Sequence, residues 1–101
     1  MKILCLGRHG NSRSAALAYL LKKRGHDAIA VGMRCMGRDT RKMMLDWADL
    51  IILLHQKCQE GVPEQYLDKL KIWQIGRDKY FQEPNPVLKE MLEGYIKREN
   101  L

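Results

Sequence analysis

At residues 50–54 the sequence reads Leu-Ile-Ile-Leu-Leu, and this apolar run decides the fold class. An apolar run without polar alternation, short and bounded by polar residues, indicates a strand that is buried on both faces. Such strands are typical of parallel sheets, because the helices that connect parallel strands cover both faces of the sheet. The run therefore predicts an α/β domain.

Two more apolar runs predict strands, at Ile3–Leu6 and Ala28–Val31, and a loosely alternating segment predicts a fourth at Lys71–Ile75. Helical patterns separate the four strands along the chain. Crossover connections of this kind are right-handed and produce parallel pairing. We therefore expect a single three-layer domain over residues 1–101, with a four-stranded parallel sheet flanked by helices.

Four segments carry helical patterns. The first runs from Arg13 to Arg24 and stops at Gly25. The second begins with Asp39 or Thr40 as its N-cap. Its expected inward face comprises Met43, Met44, Trp47 and Ala48. A short third helix is expected to direct three side chains inward, those of Tyr66, Leu67 and Leu70.

The last helix has the clearest start. Asn85 is a suitable N-cap, and Pro86 suits the first helical position because its missing N–H would be unsatisfied there anyway. The expected apolar stripe of this helix comprises Val87, Leu88, Met91, Leu92, Tyr95 and Ile96.

The composition argues for a folded protein without a membrane span. Of 101 residues, 46% are hydrophobic and 30% are charged, a balance that disordered chains lack. The longest apolar run, Ala15–Leu21, has seven residues, whereas a spanning helix needs about 20. The N-terminal segment is too soon interrupted for a secretory signal. We therefore expect no membrane partner.

The cysteines predict a reducing compartment. Cys5, Cys35 and Cys58 are odd in number and form no Cys-x-x-Cys pair, so neither a disulfide framework nor a zinc site is expected. These features favour the cytoplasm, and no motif calls for a cofactor.

The net charge is basic, with 18 Lys and Arg against 12 Asp and Glu, or +6. A basic surface suits nucleic acid, a membrane surface or a phosphorylated ligand. The basic residues are scattered, and the aromatic residues do not alternate with them as a base-stacking platform requires. We therefore expect a solvated basic surface and no nucleic-acid partner.

The loop after the first strand has the composition of a phosphate cradle. It comprises Gly7, Arg8, His9, Gly10, Asn11, Ser12, Arg13 and Ser14. Glycines let a ligand approach the backbone, and the amides of residues 8–13 can converge on an anion at the helix N-terminus. Arg13 offers a planar fork to two phosphate oxygens, and Ser14 can donate to the same anion. A plain strand-to-helix turn, with Ser12 as N-cap and Arg13 solvated, is the alternative.

This loop and three later segments resemble the low-molecular-weight protein tyrosine phosphatases, especially their short relatives in bacteria and phages. The family carries a Cys, five residues and Arg-Ser after its first strand, and here Arg13-Ser14 closes Gly10-Asn11-Ser12-Arg13-Ser14. The other matching segments are Asp46–Ile52, Ile75–Tyr80 and Asn85–Leu88. The resemblance covers nearly the whole chain and implies a phosphatase-like fold that binds phosphate or a phosphorylated molecule or protein.

Gly7 stands where the family has its nucleophilic cysteine, six residues before Arg13. Glycine cannot attack phosphorus, and uncatalysed hydrolysis of phosphate monoesters is extremely slow. The resemblance therefore implies phosphate binding with lost or severely weakened catalysis. Cys5 would serve as nucleophile only if the loop were two residues longer, and its position inside the strand favours a buried thiol.

The family's general acid is an aspartate on the loop after the fourth strand, and Asp78 in loop 76–84 occupies that place. The same residue can equally stabilise a turn. Tyr80 and Phe81 would form a pocket wall for an aromatic group, or pack as ordinary loop aromatics.

Two other functions fit the same sequence. Arg8-His9-Gly10 resembles the signature of the histidine phosphatases, in which the histidine accepts the phosphoryl group. An active phosphomonoesterase would then use His9 or Cys5 as nucleophile and Asp78 as acid. The remaining alternative is a protein–protein interaction module that binds no phosphate.

Overall fold

The sheet has four parallel strands, with the first strand in its interior. The computed structural model describes residues 1–7, 12–32, 36–54, 62–73 and 86–101. Its strands are β1 (Lys2–Gly7), β2 (Asp27–Gly32), β3 (Leu50–Leu53) and β4 (Leu70–Ile72), in the spatial order β2-β1-β3-β4. Every neighbouring pair is parallel. The predicted four-stranded parallel α/β sheet is confirmed.

Helices cover both faces of this sheet. They are α1 (Ser12–Lys23), α2 (Arg38–Trp47), a 3₁₀ helix (Glu64–Lys69) and α3 (Pro86–Arg98). Side chains of α1 and α3 pack on one face, and those of α2 and the 3₁₀ helix pack on the other. Among the described helices, none has both the length and the apolar character needed to cross a bilayer.

Burial on both faces explains the unbroken apolar strands. In β1, Ile3 and Cys5 face α1 and α3, whereas Leu4 and Leu6 face α2. All four side chains are completely buried. The run at 50–54 divides in the same way, with Leu50, Ile52 and Leu54 on the first face and Ile51 and Leu53 on the second. Alternating polar residues would place polar groups in one of these cores.

The start and the inward face of α2 differ from the prediction. The helix begins at Arg38, and Gly37 occupies the N-cap position without a side-chain cap, so neither Asp39 nor Thr40 caps it. Met44, Trp47 and Ala48 pack on the core as predicted, but Met43 is 70% exposed and Leu45 is buried. Adjacent apolar residues fit more than one helical face, and packing on the sheet selects the face that carries Leu45 and Ala48.

The third helical segment is a 3₁₀ helix, which changes its inward face. Tyr66 is buried, but Leu67 is 41% exposed, so the prediction for Leu67 is wrong. Three residues per turn rotate adjacent side chains by about 120°, which turns Leu67 away from the sheet. Leu70 lies outside the helix, as the first residue of β4. The strand prediction at Lys71–Ile75 therefore began one residue late, and its last two residues lie outside the described ranges.

The last helix buries a narrower stripe than predicted. Leu88, Leu92 and Ile96 form a buried row at four-residue spacing, while Val87 is 52% exposed and so lies off the stripe. Trp73 stacks on Tyr95 with ring centroids 5.0 Å apart, which packs α3 against the β4 side of the sheet. The predicted N-cap Asn85 lies outside the described residues.

We expect Leu92→Ala to lower the free energy of unfolding by about 2–5 kcal/mol, because it leaves a cavity in the fully buried row of α3. Val87→Ala is the matched control and should change stability by less than about 0.5 kcal/mol. Urea denaturation of both variants measures the difference. Equal losses would contradict the packing of α3 described above.

Candidate anion-binding site

The carboxyl ends of β1 and β3 lie side by side where the chain connections diverge. α1 connects β1 to β2 across one face of the sheet, and α2 connects β2 to β3 across the other. A switch of this kind leaves a crevice beyond the strand ends, which is the usual ligand site of open α/β sheets. Gly7 is the last residue of β1, is buried, and pairs with Gly32. The loop singled out from the sequence therefore begins at this crevice.

Arg13 lies in the first turn of α1 and is only 1% exposed. Burying a guanidinium is unfavourable by several kcal/mol unless an anion or good hydrogen-bond acceptors surround it. Its position adds a second penalty, since a helix N-terminus carries partial positive charge and disfavours cations. The first turn contains no acidic residue. An anion bound at this end of α1 would offset both penalties.

Ser14 lies beside Arg13 in the chain and is completely buried. A buried hydroxyl needs a hydrogen-bond partner, and it can both donate and accept. The opposite end of α1 is ordinary, because its basic residues Lys22 and Lys23 lie in the last turn, where the helix dipole favours them. The unusual arrangement of buried polar groups is thus confined to the end of α1 that faces the crevice.

Cys5 lies in the core and not at the crevice. Its side chain is fully buried against the α1 and α3 layer, between Ala30 of β2 and Ile52 of β3 in the strand register. Desolvation raises the pKa of the Cys5 thiol to about 12, although nearby Lys22 lowers it slightly. The thiol is therefore protonated at neutral pH, and a nucleophilic cysteine must be a thiolate.

The remaining candidates fall partly or wholly outside the described residues. Arg8, His9, Gly10 and Asn11 lie outside them, as do Asp78, Tyr80 and Phe81 of the second loop. Ser12 is the first residue of α1. The structure therefore brings Gly7, Arg13 and Ser14 to the carboxyl edge of the sheet, and the roles of the other residues stay predictions.

His26 lies at the end of the sheet where β1 and β2 begin, whereas Gly7 lies at the end where they stop. It directly precedes β2, whose first residue Asp27 pairs with Lys2 at the start of β1. The Nε2–H of His26 donates to the carbonyl oxygen of Leu101 at 2.9 Å. A histidine-phosphatase mechanism at His9 needs a second histidine at the same site, and His26 does not supply it.

Three basic residues of α2 line a cavity between α2 and the 3₁₀ helix, namely Arg38, Arg41 and Lys42. The scattered basic residues of the sequence predict only a solvated surface. Their spacing of three and four residues is the sequence signal of a shared helical face. Within the described residues, no group of three or more His, Cys, Asp or Glu side chains is placed to hold a metal.

We expect the Cys5 thiol to react about a thousandfold more slowly than in the unfolded chain, because it is protonated and buried. The measurement is reaction with an aromatic disulfide reagent at pH 8 in Cys35→Ser/Cys58→Ser, where Cys5 is the sole thiol.

Since folding raises the pKa of the Cys5 thiol from 9.0 to about 12, the unfolded chain loses this proton first. Stability should therefore fall as pH rises from about 9 towards 12. Fast labelling of the folded protein would contradict this placement.

Comparison of the chain with models of protein families, with curated proteins and with solved structures found no match. Its function is therefore inferred from its own residues, chiefly from the buried guanidinium at the end of β1.

Proposed function

We propose that this protein binds phosphate or a phosphorylated group in loop 7–14 and does not hydrolyse it. The observation that carries the proposal is Arg13, a nearly completely buried cation in the first turn of α1 at the carboxyl edge of the sheet. The charge of this guanidinium and the dipole at the start of α1 both favour an anion at this end of the helix.

Phosphate suits this site better than a monatomic anion does. The guanidinium of Arg13 presents parallel N–H donors that match two phosphate oxygens. The N–H groups at the start of α1 supply further donors, and their dipoles favour negative charge. Gly7 ends β1 without a side chain, so it leaves room for a ligand close to the backbone.

The four-stranded parallel sheet is compatible with the resemblance to the low-molecular-weight tyrosine phosphatases. That resemblance implies that the phosphate loop follows β1, that Arg13 is the anion clamp and that Gly7 occupies the nucleophile position. Cys5, two residues before Gly7, is a buried and protonated thiol. These points support a proposal of binding without catalysis. We assign the protein to the reducing cytoplasm, where its thiols stay reduced.

We expect inorganic phosphate to bind the native protein and to raise its melting temperature, because a ligand that binds only the folded state stabilises it. Arg13→Ala should weaken this binding by at least about tenfold, the equivalent of one charge-assisted hydrogen bond. Arg13→Lys should bind with intermediate affinity, because it keeps the charge but loses the planar fork. Calorimetric titration with phosphate measures all three proteins.

The matched control is Arg24→Ala, which removes an exposed arginine beyond the far end of α1. It should leave the affinity for phosphate unchanged. Equal affinities of the native protein and a folded Arg13→Ala would overturn the proposal, and would favour an interaction module that needs no phosphate.

We expect the native protein to leave an aryl phosphate unhydrolysed, and Gly7→Cys to introduce turnover, because this change places a thiol six residues before Arg13. Gly7→Ser controls for the added side chain, and circular dichroism checks that each variant folds. Turnover that appears in Gly7→Cys and disappears in Gly7→Cys/Arg13→Ala would establish a cradle without its nucleophile. Turnover by the native protein would instead support catalysis through His9 or Cys5.

A further inference from the structure

A second basic site lies on the α2 face of the sheet. A cavity of about 380 Å³ opens between α2 and the 3₁₀ helix. Its lining residues are Arg38, Arg41, Lys42, Leu45, Pro63, Gln65 and Tyr66. The volume lies within the range of small-molecule sites. Among the residues that the structure describes, Gly7, Arg13 and Ser14 do not contribute to this lining.

The charge of the cavity points to an anionic ligand. Among the described residues, its lining contains three cationic side chains and no carboxylate. The three cations occupy positions i, i+3 and i+4 of α2, so they project from one helical face. Arg38 and Arg41 also lie in the first part of the helix, where the dipole favours an anion.

One carboxylate, that of Asp46, is bonded to two of the lining residues. Asp46 accepts hydrogen bonds from Lys42 Nζ at 2.8 Å and from the Tyr66 hydroxyl. These two bonds lower the pKa of the Asp46 carboxyl, so it stays ionised and continues to hold both donors. Lys42 is therefore turned towards Asp46, while Arg38 and Arg41 line the cavity on the same helical face.

The floor of the cavity is apolar and aromatic. Leu45 and Tyr66 are buried beneath it, and Pro63 forms part of the opposite wall. Pro63 is exposed, so an apolar body that packs on it would displace water from its ring. The position of Tyr66 is set by its bond to Asp46, so the ring does not need to reorganise on binding.

We propose that this cavity binds a small organic anion, an aromatic or aliphatic body that carries a carboxylate or a phosphate. Arg38 and Arg41 bind the anionic group. The body packs on Pro63 and on the alkyl stems of the exposed Arg38 and Lys42. The described lining shares no residue with Gly7, Arg13 and Ser14, so the test can distinguish this site from the proposed function.

The test uses naphthoate and naphthyl phosphate as probes. Naphthalenemethanol is the neutral analogue, and inorganic phosphate is the anion that lacks an organic group. Calorimetry gives the affinities, and amide chemical shifts locate the binding. We expect the amides of Gln65 and Tyr66 to shift with both anionic probes, and naphthalenemethanol and inorganic phosphate to bind this site at least about tenfold more weakly. The better of the two anionic probes identifies the preferred headgroup.

Arg38→Gln/Arg41→Gln should weaken the binding of naphthoate by at least about tenfold. The matched control is Arg24→Gln/Lys97→Gln, which removes the same charge from exposed positions elsewhere and should leave the affinity unchanged. Gln65→Trp provides a second variant, which fills the cavity without a change of charge and should also block binding.

Three results would overturn the proposal. They are equal affinity for naphthalenemethanol, equal weakening in the control pair, and shifts that appear at Ser14 but not at Gln65 or Tyr66. The last result would place the probe in the phosphate loop, so it would count for the proposed function while it removed the second site.

Discussion

The burial of β1 from Ile3 to Gly7, with a paired strand along each edge, is the constraint on which the rest of the structure depends. β2 and β3 pair with it on either side, and helices from two layers pack on its alternating side chains. Each buried N–H and C=O of the strand is satisfied only while both neighbours are in register. The direction of β1 is therefore fixed, and so is the position of Gly7, the residue at which β1 ends and from which the chain continues to α1.

This buried strand places two buried polar residues at the start of α1. Arg13 and Ser14 lie at the end of the helix whose dipole favours an anion. Local rules are most often broken at functional sites, and this position is the basis of the proposed anion site. Cys5, two residues before Gly7 in β1, provides a contrast. Its thiol lies in the hydrophobic cluster against α1 and α3, where it acts as a core side chain.

The two proposed sites use the same physics at different depths. In the phosphate loop the cation is withdrawn from water, so one guanidinium and the helix amides suffice. In the α2 cavity, Arg38 and Lys42 are exposed and Arg41 is half-buried. Water screens such charges, so affinity there needs an apolar contact as well as the charges. This difference is why we expect the first site to accept bare phosphate and the second to require an organic body.

Local sequence was enough to predict the class of the fold. The unbroken run at 50–54 allows burial on two faces and little else, and the alternation of strands with helices then requires a parallel sheet. The inward faces were less predictable where apolar residues are adjacent. Met43, Leu67 and Val87 all have apolar neighbours that compete for the same core. Packing buried Tyr66 and Leu88 as predicted, left Leu67 and Val87 exposed, and buried Leu45 where Met43 was expected.

For the candidate sites, the residue types of the phosphate loop and the spacing of Arg38, Arg41 and Lys42 are properties of the sequence by itself. Only the tertiary structure decided that Arg13 is buried and that the α2 cations surround a cavity. The physical reason is that burial depends on partners distant in the chain. The strand neighbours of β1 come from residues 27–32 and 50–53, and the wall opposite α2 comes from residues 63–66. No local pattern around residue 13 or residue 41 contains that information.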